Sequence, residues 1–213
     1  MATEHADTRE YLVVHQTLRV LLSRFVNATE RIDPSVLATV LPSRWALFAR
    51  GLHHHHEVED TMFFPVVVRD RPDMKALVDE LELQHQQLVA RLDAVDTAVA
   101  ALAAGPGDAS RAAAHDAIKA VRDELVPHLD VEDAQLLPAA AEAVDGAEWK
   151  KISEQALRSL DKKDLPVVAG ALDEVARGLP KDQRPPPPPL MVRVLVSVSW
   201  RKRYEQFIEP LVT

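Results

Sequence analysis

Apolar residues return every three or four positions through almost the whole chain, and that rhythm leaves room for little besides α-helices. From Asp7 to Thr29 the seam reads Tyr11, His15, Leu18, Leu22, Phe25, the spacing of one helix face. A second segment follows Asp33-Pro34, an N-cap with proline at the first helical position. Its seam is Leu41, Trp45, Phe48, Leu52, His55, Glu59, Met62; Pro42 is expected to kink or restart it and Pro65 to end it. The third opens at Arg71-Pro72 and runs to Ala104 through Leu77, Leu81, His85, Leu88, Leu92, Val95, Val99 and Leu102. Gly105-Pro106-Gly107 breaks the chain. The fourth runs from Asp108 to about Val144 through Ala114, Ile118, Val121, Leu125, His128, Glu132 and Leu136, with a bend expected at Pro127.

Four long amphipathic helices with short connections predict an all-α, up-down-up-down four-helix bundle over residues 1–145. Residues 146–213 read as a helical extension packed on the bundle, with helices at Glu148–Leu160 and Leu165–Gly178 and a polyproline spacer at 185–189. In the stretch 190–210, Val192, Val194, Val196 and Val198 alternate like a strand; with no partner strand in view, a helix is expected. Six glycines in 213 residues argue against a sheet-rich fold.

Composition removes several function classes. Cysteine is absent, which excludes disulfides, thiol nucleophiles and sulfur-ligated metals. The formal net charge is −8 without a basic stretch, a poor match to nucleic acid. No apolar run reaches a membrane span, and Met1 to Asp7 lacks the pattern of a signal peptide. The expectation is a cytoplasmic protein with no membrane or nucleic-acid partner; a homo-oligomer is compatible. The serines show no nucleophile-elbow context and no glycine loop resembles a phosphate cradle.

Polar residues interrupt the seams near the middle of each helix: His15, His55, Glu59, His85, His128 and Glu132. The halves repeat. His55 to Asp60 aligns with His128 to Asp133, and Pro65 and Pro138 each follow the glutamate by six. Residues four apart share a helix face, so each His-x-x-x-Glu can chelate one ion, and two facing chelates can share carboxylates. Imidazoles and carboxylates without sulfur suit iron or manganese, with zinc also accommodated. Six unsatisfied buried polar groups would cost about 6–18 kcal/mol, comparable to a net stability of about 5–15 kcal/mol, so something must satisfy them. The run His53 to His56 offers competing registers. His53–Glu57 lies on a solvated face. His56–Asp60 shares its face with Trp45, Leu52 and Phe63. His55–Glu59 is preferred because it continues the seam and matches His128–Glu132. Asp60 and Asp133 fall beside the ligands, either orienting a histidine or simply solvated. His5 and His115 lie off the seams.

These residues resemble the hemerythrin-like (HHE cation-binding) family: His15, the stretch Leu52 to Pro65, Glu82-Leu83-Gln84-His85, and His128 to Pro138, with Glu148-Trp149 like the Glu-Trp that opens a further helix in many bacterial members. The resemblance implies a bundle holding two non-heme irons bridged by carboxylates and an oxo or hydroxo group, with manganese or zinc ranking behind iron. The implied ligands are His15, His55, Glu59, His85, His128 and Glu132. Oxygen-carrying members have a second histidine four residues after the helix-3 one; here that place is Val89. With six ligands, open positions are expected on both ions. That favours a catalase- or peroxidase-like oxidoreductase reacting with O2 or H2O2, the alternative being an O2, NO, redox or iron sensor without turnover. Tyr11, one turn before His15, is an aromatic seam residue or else a phenolate ligand or redox partner.

Overall fold

The computed structural model describes residues 5–187 and 190–212. The bundle is built from α1 (Arg9–Arg31), α2 (Pro34–Val58), α4 (Lys75–Ala104) and α5 (Asp108–Val131), each packed on the next in a closed ring. The fold class is all-α, as expected. Asp33 caps α2 by accepting the Ser35 N–H at 2.9 Å. In the α4–α5 turn, Ser110 Oγ accepts the Gly107 N–H and donates to the Gly105 carbonyl, satisfying polar groups that a helix end leaves open.

The expected stop at Pro65 does not occur. After α2 the chain passes through a π turn, Glu59–Phe63, and continues as α3 (Phe64–Asp70). The second half repeats this: α5 leads into a π turn, Glu132–Leu136, then α6 (Leu137–Ala143). In each turn an N–H reaches back five residues, from Phe64 to Glu59 and from Leu137 to Glu132. The widened turn just before each proline makes room for a ring that lacks an N–H and would clash with an α-helical carbonyl. The surplus residue also shifts the seam: Phe63 is buried where the regular spacing puts Met62, which is half-buried.

The interior falls into two apolar parts. One runs from Leu18, Phe25 and Trp45 to Ile118 and Leu125; the other joins Phe63, Phe64, Val67, Leu81, Leu136 and Trp149. Buried His15, His55, His56, Glu59, His85, His128 and Glu132 form a polar layer between them.

Beyond the bundle lie α7 (Gly146–Ser159), α8 (Leu165–Gly178), and one continuous helical run made of α9 (Leu190–Leu195), a π turn (Val196–Trp200) and α10 (Arg201–Val212). Asp145 caps α7 by accepting the Ala147 and Glu148 N–H groups. The alternating valines are helical, as expected. Ala171, Tyr204, Ile208 and Leu211 join the larger apolar part. Arg24 of α1 pairs with Glu174 of α8 at 2.8 Å and also meets the Tyr204 hydroxyl. Of the polyproline stretch at 185–189, the last two residues lie outside the described ones.

Candidate metal centre

The four bundle helices and the π turns that follow α2 and α5 bring all six predicted side chains together, and a seventh with them. Two groups form. His15, His55, Glu59 and Glu132 make one; His56, His85 and His128 make the other. Within each, one ligand-type atom per residue lies within 4.8 Å of the rest, and all are buried. The two carboxylates connect the groups. Glu59 Oε1 lies 3.3 Å from His55 Nε2 while its Oε2 lies 3.5 Å from His85 Nε2. Glu132 Oε2 lies 3.5 Å from both His15 Nε2 and His128 Nε2.

The seventh is His56, which the sequence offers as a credible rival to His55 rather than as its companion. A core-facing stripe of a helix is wide enough for adjacent positions, so His55 and His56 both point inward. The repeat contained the clue: His56 aligns with Leu129, which is fully buried. That position faces the core in both halves, and only the first half places an imidazole there. Val89, by contrast, is half exposed.

Hydrogen bonds fix the rings. Asp133 accepts from His15 Nδ1 at 2.6 Å, Asp60 from His85 Nδ1 at 2.8 Å, and Gln84 Oε1 from His128 Nδ1 at 2.9 Å. The two aspartates therefore orient histidines, the first of the two readings open from sequence. Arg19 holds Asp133 in turn, at 2.8 Å. With each Nδ1 donating outward, each ring turns its Nε2 toward the centre; burial lowers the His15 pKa but its bonds to Asp133 and Glu59 prevail and raise it. His85 Nε2 and His128 Nε2 face each other at 3.1 Å, two ring nitrogens aimed at one point. His15, His55 and His56 Nε2, Glu59 Oε2 and both Glu132 oxygens have no hydrogen-bond partner. A row of buried lone pairs without donors fits a bound metal.

Electrostatics agree. Burial pushes the His55 imidazole down to about 3 and His56 well below its ordinary value; burial, with His85 close by, brings His128 to about 4. These rings stay neutral, the form that binds metal. Burial and the adjacent Glu59 charge push Glu132 well above the carboxylate range, since two facing carboxylates cannot both ionise without a cation. Glu59 stays ionised: burial opposes this, but the histidines around it prevail. Burial, then Glu59, holds the Tyr11 phenol protonated, and it donates to Glu59 Oε1. Tyr11, Phe63 and Trp149 cover the His15–His55 end, with ring centroids 5.1–5.8 Å apart. A surface groove of about 270 Å³ between α4 and α5, lined by Gln84, Leu88, Pro127 and His128 among others, reaches the opposite end.

The model of the hemerythrin HHE cation binding domain matches residues 7–140. The chain belongs to that family. Its matched span contains every member of both groups, so the HHE domain and its cation-binding chemistry are a property of the bundle. The search of curated proteins and that of solved structures return no match.

Proposed function

We propose that the bundle holds a pair of iron ions and binds or reacts with O2 or peroxide there. The observation that carries this reading is the buried layer of imidazole and carboxylate lone pairs without donors. His56, His85 and His128 would hold one ion, His15 and His55 the other, with Glu59 and Glu132 shared between them. Nitrogen and oxygen ligands without sulfur suit iron, ahead of manganese or zinc. An iron pair supplies one-electron redox steps and vacant positions for a small molecule.

The chain's own residues do the rest. Asp60, Asp133 and Gln84 keep three Nε2 lone pairs aimed inward. Tyr11 keeps a hydroxyl donor on Glu59. Leu18, Leu22, Phe48, Leu52, Leu81, Leu88 and Leu125 exclude water on either side of the layer. His56 changes the count expected from sequence. Its imidazole would add a ligand on one side alone, leaving the His15–His55 side with fewer protein ligands. This asymmetry gives weight to the second reading, reversible capture of O2 or NO without turnover.

Elemental analysis of protein from unsupplemented cells, followed by spectroscopy, tests both. Iron at two ions per chain, one for each group, is expected. A visible band that appears on O2 exposure and fades under argon marks binding; O2 evolution from added H2O2 marks turnover. Zinc alone, which has no redox chemistry, would overturn both.

A further inference from the structure

Val192, Val194, Val196 and Val198 alternate as strand residues do, yet they sit in the helical run Leu190–Val212. In a helix, residues two apart project toward opposite sides. The alternation therefore creates two apolar stripes. One is used: Val196 is buried, and the seam continues through half-buried Trp200 to Tyr204, Ile208 and Leu211 in the core. The other is not. Leu190 is 72 % exposed, Val194 50 %, Leu195 39 % and Val198 75 %. No other nine-residue stretch among the described residues exposes four large aliphatic side chains.

The charges beside this stripe invert the sign of the molecule. The chain carries −8 overall, yet the run Leu190–Val212 carries four cations, Arg193, Arg201, Lys202 and Arg203, against two acids, Glu205 and Glu209. Arg201 is neutralised by Asp173 at 2.9 Å. Arg193, Lys202 and Arg203 are exposed. We propose that this face lies on an anionic membrane surface. Leu190, Val194, Leu195 and Val198 enter the boundary between headgroups and acyl chains while the three exposed cations meet lipid phosphates. A second copy of the chain fits less well. Two-fold pairing of the stripe brings like cations together, and one short stripe falls far below the roughly 20–30 residues a side of a stable protein interface. No helix among the described residues is long and apolar enough to cross a membrane, so the contact is that of a helix lying flat. The sequence expectation is of no membrane partner at all; it rests on the absence of a spanning apolar run, and the proposed contact departs from it.

Co-sedimentation of the full chain with vesicles tests this independently of the metal centre. Binding to phosphatidylcholine vesicles containing phosphatidylglycerol is expected, weakening at high salt and absent with phosphatidylcholine alone. V194S/V198S changes only exposed positions and keeps the helical circular dichroism; its vesicle affinity falls at least about tenfold. Arg193→Gln and Lys202→Gln each lower affinity about fivefold. No binding to the anionic vesicles, or undiminished binding by V194S/V198S, overturns the proposal. So does a dimer that V194S/V198S converts to monomer without any vesicle binding, which would assign the face to a second copy.

Discussion

Asp60 and Asp133 hold the back of one imidazole each, so removing either frees a ring without emptying the core. Asp60→Ala and Asp133→Ala are expected to lower metal affinity about 10- to 100-fold while the fold persists, read by competition with a coloured chelator. His56→Leu copies the residue that the second half places there, Leu129, and keeps the position apolar. It is expected to lower iron retention at the His85–His128 end while the His15–His55 end keeps its ion, checked by metal content per chain. The six seam residues were legible because a polar residue inside an apolar rhythm has to be explained. His56 was not, because the pairing logic asked which single register of a tetra-histidine run faces inward, whereas the buried stripe of α2 takes two adjacent positions. Asp60 and Asp133 stayed ambiguous since their partners come from other helices, and spacing along one helix says nothing about those.

The elements outside the ring are held by a few specific contacts. A Cβ on Gly170 of α8 would stand 2.5 Å from Tyr204 Cβ and 3.1 Å from the Trp200 carbonyl oxygen. Gly170→Ala therefore forces α10 away from α8 and is expected to cost about 1–3 kcal/mol, measured by denaturant midpoint. Glu174 ties α8 to α1 and α10 through Arg24 and Tyr204. The Arg24 hydrogen bond holds its carboxyl below the ordinary value, against the opposing effect of burial. A carboxyl depressed in the folded state contributes stability above its unfolded pKa of about 4.3 and loses it as pH falls through the folded value. Acidification is thus expected to loosen the α8–α10 docking, and Glu174→Gln to flatten that acid limb of stability against pH. Helix positions were readable from periodicity, Leu165–Gly178 to the residue. The π turns were not: Pro65 reads as a stop, and only the geometry reveals that the turn ahead of it widens and lets the helix go on to Asp70.

At the scale of the molecule, ions bound to the folded state alone raise its stability by mass action. At one hundred times the dissociation constant the gain is about 2.7 kcal/mol. A chain of this size shifts about 2–4 °C per kcal/mol. Chelation is therefore expected to lower the melting temperature by about 5–10 °C, and readdition of iron to restore it, as followed by calorimetry. The bundle was legible as a whole because short turns between long amphipathic helices admit few arrangements. The free second face of the Leu190–Val212 run was not, since alternating valines signal a strand until the backbone around them is known to be helical. The polar layer between the two apolar parts has a last consequence. Apolar contact between the two parts is interrupted there, so in the proposed metal-loaded state the ions act as the weld. Stripped of them, the protein has two kernels that melt on their own schedules, and its calorimetric enthalpy will exceed the van't Hoff value; loaded, it melts as one body.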